Sequence, residues 1–183
     1  MPKTALLLID IQNDYFSGGK FPLNGMEIAA KQAAMLLSKF RETNSALIHV
    51  RHENPTDEAP FFTQNSVGAQ HHPTAAPKDG ETIIVKQFPN SFRDTKLKEV
   101  LDRDGIDSLI IVGAMSNMCI DAVTRAAHDL GYNCTVAHDA CAAMGLELNG
   151  VQVPPEQVHA AFMAALGLGY ANVTDTDTII NSL

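Results

Sequence analysis

"SLIIVGAMSNMCIDAVTRAAHDLG", residues 108–131, passes from an unbroken apolar run into a segment that reads as a helix and closes on Gly131. Side chains of a strand alternate between the two faces of its sheet, so a run apolar at successive positions fits a strand buried on both sides. The following residues predict a helix over about 118–130, stopped by a glycine that accepts a left-handed conformation. A buried strand handing over directly to a helix is the building unit of a parallel sheet. The junction between the two holds a thiol, Cys119.

Runs of the same kind recur at 4–10, 45–50, 82–85, 133–138 and, more weakly, 171–174, which makes six predicted strands. Between the first two, Ala29, Ala33, Leu36, Leu37 and Phe40 share one face of a helix that ends near Thr43. Leu97, Val100 and Leu101 form a shorter stripe, with Asp94 as its expected N-cap and Gly105 as its stop. A last helix, about 155–168, carries a proline in its first turn. This alternation predicts an α/β fold: a three-layer αβα sandwich around a six-stranded parallel, Rossmann-like sheet, in one domain spanning 1–183. Two stretches break the alternation. Residues 52–80 carry prolines, glycines and three histidines without periodicity, and are expected to form a pocket wall; residues 141–155 are expected to fold over the same edge.

The composition sets limits on function. With 183 residues, 45% of them hydrophobic, the chain can bury one sizeable core. Its formal charge of −8 is spread along the sequence, which argues against nucleic acid and anionic membranes as partners. No apolar run approaches the roughly 18–20 residues that cross a bilayer, and the N-terminus leads straight into a strand, so a cytoplasmic protein is expected. The cysteines, 119, 134 and 141, are odd in number and lack a CxxC spacing, as free thiols in a reducing compartment would.

Open α/β sheets bind ligands beyond the carboxyl ends of their strands. There the first strand offers Asp10, the third Lys86 and the fourth Cys119. In the first turn of a helix a thiol meets unpaired N–H groups and the positive end of the dipole, which favour thiolate, and Lys86 would act in the same direction. Asp10 and Asp121 would oppose it. Cys134 and Cys141 are read as packing residues. Among possible histidine bases, His128 lies on the far face of the Cys119 helix, roughly 13 Å along it. His138, at the end of the fifth strand, stays open as a second base.

Three stretches, "LLLIDIQNDY" (6–15), "IVKQFPNSF" (84–92) and "GAMSNMCIDAVTRAAHDLGY" (113–132), resemble in order and spacing the motifs of the isochorismatase-like cysteine hydrolases, which include nicotinamidases and related amidases. The similarity runs on to "VTDTDTII" (173–180). It implies a triad of Cys119 as nucleophile, Asp10 as proton shuttle and Lys86 as electrostatic support. It also implies a cis peptide between Ala114 and Met115, and an oxyanion hole formed by the N–H groups of Met115 and Cys119. The reaction implied is hydrolysis of a small amide or related C–N substrate through a thioester, with no cofactor and, as is common in the superfamily, in a homo-oligomer. Tyr15 and Phe92 are candidate substrate-binding walls.

One departure bears on metal. Nicotinamidases carry an Arg-Asp-x-His segment whose Asp and His bind a metal, whereas here "RHENP" places His52 and Asn54 at those positions, so no metal is expected. The pair His71 and His72 is the remaining place a metal could bind. Other readings are a catalytically silent small-molecule-binding protein of the same fold and a non-amide, isochorismate-type hydrolase. A dinucleotide-binding protein would need a glycine-rich turn after the first strand, which "DIQNDYFSGG" lacks. An aspartyl-phosphate enzyme would need a second carboxylate where Gln12 stands.

Overall fold

The computed structural model describes residues 3–56 and 58–183. Its strands, in chain order, are β1 (Thr4–Ile9), β2 (Ala46–His52), β3 (Thr82–Lys86), β4 (Ser108–Ala114), β5 (Asn133–Ala142), β6 (Leu146–Leu148), β7 (Val151–Val153) and β8 (Asn172–Thr174). The helices are α1 (Met26–Glu42), α2 (Leu97–Arg103), α3 (Asp121–Asp129), α4 (Pro155–Gly167) and α5 (Thr176–Ser182). Six strands form one sheet in the order β3-β2-β1-β4-β5-β8, with every neighbouring pair parallel.

Why β1 is apolar at every position follows from its place at the centre. Leu6 and Leu8 join a core that includes Ala29, Ala33, Leu36, Leu37 and Phe40 of α1 and Ile179 of α5. Ala5, Leu7 and Ile9 join the opposite core, with residues of α2, α3 and α4. Burying one such leucine or isoleucine stabilises the fold by about 1.5–3 kcal/mol, so a polar substitution on either face of β1 has no compensating environment. The order of connection reverses between β1 and β4, and a crevice opens beyond their carboxyl ends.

Several boundaries differ from the sequence expectation. Asp94 does not cap α2: it adopts a left-handed conformation (φ 54°), and Thr95 Oγ1 accepts from the Leu97 N–H at 3.2 Å instead. A short polar side chain tolerates that backbone, which suits Asp94 to the turn before the helix. β5 continues to Ala142 through an irregularity in which Val136 pairs with Ile111 but Cys141 pairs with Gly113. Cys141 is therefore a sheet residue rather than part of a loop. The rest of 141–155 forms the exposed β6–β7 hairpin, and α5 is a helix the periodicity did not show.

Past His52, the end of β2, the described residues of the 52–80 segment are irregular apart from a short 3-10 turn at Pro73–Ala75, and two buried side chains hold it. Gln12 Nε2 donates to the carbonyls of His52 and Ala69, each at 2.8 Å, and its Oε1 accepts from the His52 N–H at 2.8 Å. The Asp14 carboxylate accepts from the N–H groups of Phe62 at 2.7 Å and Lys20 at 3.1 Å. Gly68 passes so close that a Cβ there would lie 2.1 Å from an Asp14 oxygen. Among the described residues, no helix is long and apolar enough to cross a membrane.

Candidate active site

Four neighbouring strand ends supply the site. β3 ends in Lys86, β2 in His52, Asp10 follows β1, and Cys119 lies in the turn after β4. The β2–β3 register sets His52 directly opposite Lys86. Gly113 is required where β4 passes β1: its φ is 120°, and a Cβ would lie 1.9 Å from the Ile9 carbonyl oxygen. The next peptide, Ala114–Met115, is cis. The chain then makes a π-turn, Ser116–Ile120, in which the Met115 carbonyl accepts from the N–H groups of Met118 at 3.0 Å and Ile120 at 3.1 Å. Such turns widen the helix start and recur at functional sites. Asp10 has a left-handed backbone (φ 51°), uncommon outside glycine, and its N–H is held by the Val50 carbonyl at 3.0 Å.

The Lys86 ammonium is the hub. Its Nζ lies 2.8 Å from Asp10 Oδ2, 3.1 Å from Cys119 Sγ and 3.1 Å from His52 Nδ1. The sulfur and the imidazole nitrogen meet the ammonium as hydrogen-bond partners, and the carboxylate meets it as an ion pair. Lys86 and Asp10 are both sealed from solvent. Burial opposes the ammonium's charge, but its interactions with Asp10 first, and then with Cys119, outweigh it and set the Lys86 pKa above the ordinary lysine value.

At Cys119 the balance runs against the thiolate. Burial first, and then the negative charge of Asp10, push the thiol up to about 12; Lys86 opposes them and is outweighed. The resting sulfur therefore carries its proton. His52 is lowered from its ordinary value by burial and by the Lys86 charge. Its neutral ring accepts at Nδ1, which assigns the remaining proton to Nε2.

A cavity of about 260 Å3 opens over this cluster. Tyr15, Pro60, Phe61, Pro89 and Met115 form apolar walls, and Met118 stands at the mouth. The polar lining is His52, Asn54 and Cys119. Burial raises the Tyr15 hydroxyl well above its ordinary pKa, so that wall is neutral too. A wider cleft, about 520 Å3, lies at the amino ends of β2 and β3 near Arg41 and Glu81, away from any thiol.

Of the residues singled out in the sequence, Asp10, Lys86 and Cys119 come together, and Tyr15 lines the cavity. Phe92 does not: its ring stacks on Tyr132 with centroids 6.1 Å apart, within the core beneath α2 and α3, so it is corrected to a packing residue. His128 meets Tyr170, and His138 is absent from the cavity lining. Segment 52–80 contributes Asn54, Pro60 and Phe61 to the wall, whereas 141–155 contributes nothing. His52 is the residue the sequence reading undervalued. Its signal was position, the last residue of the strand beside β3, but register cannot be read before strands are paired.

The residues present do not fit the nicotinamidase metal set. At its positions, His52 Nδ1 is engaged by Lys86, and Asn54 Nδ2 donates to the Phe61 carbonyl at 2.8 Å. Among the described residues, the one cluster of metal-ligand type is Asp10, His52 and Cys119, with ligand atoms within 4.8 Å of one another, and the Lys86 ammonium contacts all three. His72 stacks on Phe16, and His71 sits edge-on to His49.

Fold and site together define a class: a parallel α/β hydrolase with a carboxylate, an ammonium and a thiol clustered at the carboxyl edge of its sheet. The isochorismatase domain matches residues 4–178, and the chain belongs to the isochorismatase family. It is 48% identical over 177 residues to the uncharacterized isochorismatase family protein YddQ of Bacillus subtilis (strain 168), covering 97% of this chain and 98% of that protein. A crystal structure from Oleispira antarctica, described as an isochorismatase hydrolase, superposes with a TM-score of 0.95 at 61% identity, covering 98% of this chain and 96% of that one. A nicotinamidase of Escherichia coli (strain K12) is 26% identical over 214 aligned residues, 97% of each chain.

Proposed function

We propose that this protein is a cysteine amidohydrolase that cleaves a small amide or related C–N substrate through a thioester. The observation that carries the proposal is the Lys86 ammonium lying 2.8 Å from the Asp10 carboxylate and 3.1 Å from the Cys119 sulfur at the floor of a cavity. Kinship with a nicotinamidase supports amide chemistry.

The raised thiol pKa decides how the first step runs. Burial and the Asp10 charge push the thiol up to about 12, which favours its protonated form, so the proposed first step couples proton transfer to attack. In the proposed path Asp10 takes the thiol proton as sulfur attacks the carbonyl carbon, and the S–C bond forms as the proton leaves. The N–H groups of Met115 and Cys119 receive the oxyanion. Asp10 returns the proton to the nitrogen, the C–N bond breaks, and ammonia departs from a thioester. Water then attacks, giving its proton to Asp10. The C–S bond breaks, the acid leaves, and the thiol recovers the proton. Lys86 holds the carboxylate and sulfur together throughout, and His52 fixes the ammonium from the third side.

The test is release of ammonia and acid across a panel of small amides, ureides and N-carbamoyl compounds. Multiple turnovers on at least one amide are expected; a panel with none, from protein shown to be folded by circular dichroism, rejects the reading.

A further inference from the structure

The cation beneath the cavity is closed to a substrate: Lys86 is buried and lies outside the cavity lining. Its Nζ is ion-paired with Asp10 and hydrogen-bonded to Cys119 and His52. Among the described residues, no lysine or arginine side chain lines the cavity. The nearby guanidinium groups are occupied elsewhere: Arg51 pairs with Glu53 at 2.8 Å, and Arg93 lies over the Phe88 ring at 3.6 Å. Walls of Tyr15, Phe61, Pro89 and Met115 offer apolar surface. A carboxylate placed there would lose its water and gain no cationic partner, beside the Asp10 negative charge and in a protein of net charge −8.

We infer that the substrate is a compact, uncharged amide with an apolar substituent, and that the site rejects amides that carry a carboxylate close to the scissile bond. This deepens the amidase reading and rests on it for turnover. The cavity, at about 260 Å3, falls just below the roughly 300–1,000 Å3 of common small-molecule sites, which sets the size limit. The polar lining fits the same class. Asn54 is a neutral amide, one of whose two N–H groups donates to the Phe61 carbonyl, and burial together with the Lys86 charge keeps His52 neutral, so neither supplies a positive charge. Selection then arises from desolvation of the wrong ligand rather than from a contact unique to the right one.

The experiment uses a matched pair: 4-methylpentanamide and succinamate, in which a carboxylate replaces the branched methyl end. The neutral amide is expected to be favoured in kcat/KM by about 100-fold or more. Met118→Arg, which sets a guanidinium at the solvent-facing mouth, is expected to narrow that ratio by about tenfold. Equal or better turnover of succinamate by the unmodified protein would overturn the inference. A second readout is independent of amide turnover: alkylation of Cys119 by neutral iodoacetamide and anionic iodoacetate, followed by peptide mapping and normalised to free cysteine. A preference for iodoacetamide of about tenfold or more beyond the free thiol supports the inference even if neither amide is hydrolysed, an outcome that would reject the amidase reading alone. A ratio equal to that of free cysteine overturns it.

Discussion

Three acceptors share one ammonium in this protein, and two of them, Asp10 and Cys119, are the groups proposed to react. The third, His52, bonds the lysine at 3.1 Å and is proposed to act through it as a positioning residue. Replacing it with phenylalanine keeps a planar ring but removes the acceptor, and is expected to lower kcat by about 10- to 100-fold with a smaller change in KM, as losses of supporting contacts typically do. His52→Gln, which returns a carbonyl acceptor, is expected to recover part of that loss. Steady-state kinetics on one neutral amide checks both; equal losses in the two variants would mean that His52 merely fills space. The thiol teaches a related lesson. From the sequence, a helix start and a nearby lysine favour thiolate, yet burial and Asp10 prevail and push it up to about 12. Depth of burial is not written at any one position.

At the scale of elements, the junction after β4 carries the most constraint. Gly113→Ala would force a side chain onto a backbone with φ 120° and into the Ile9 carbonyl, and is expected to cost about 4 kcal/mol or more, read as a lower urea midpoint or insoluble protein. An alanine variant as stable as the parent would show that β1 and β4 can separate there. The β1 and β4 runs were legible because a strand buried on both faces must be apolar throughout, and β3, at the sheet edge, is apolar too although Ile83 and Val85 are exposed. α1 was legible from the spacing of Ala29, Ala33, Leu36, Leu37 and Phe40, all of them buried. The β6–β7 hairpin and α5 were not, since strands of three residues and a helix of seven leave too little pattern, and the hairpin has no buried face to impose one. Asp10, Lys86 and Cys119 were legible because strand ends and a helix start are local features. His52 and the misplaced Phe92 were not, because pairing register and the path of a turn are decided by contacts distant in sequence.

For the whole molecule, acid sensitivity follows from the polar layer under segment 52–80. Burial, then the charges of His49 and Arg51, lower His71 from 6.5 to about 4, and its Nε2 is sealed without a partner. The unfolded chain therefore takes up a proton as pH falls through about 6.5, while the folded chain resists until about 4. Stability is full above that window and falls across it, by about 2–3 kcal/mol from this residue. Urea unfolding at pH 7.5 and pH 5 measures the drop, and His71→Gln is expected to shrink it; an unchanged drop would assign it to other groups. The same topology that buries these residues aligns four strand ends, and that alignment brings Asp10, Lys86 and Cys119 together. Cys119→Ala tests their proposed chemistry most directly by ammonia release from a neutral amide: turnover is expected to fall at least about 10^4-fold with an unchanged circular dichroism spectrum. An alanine variant that turns over within tenfold of the parent would contradict it.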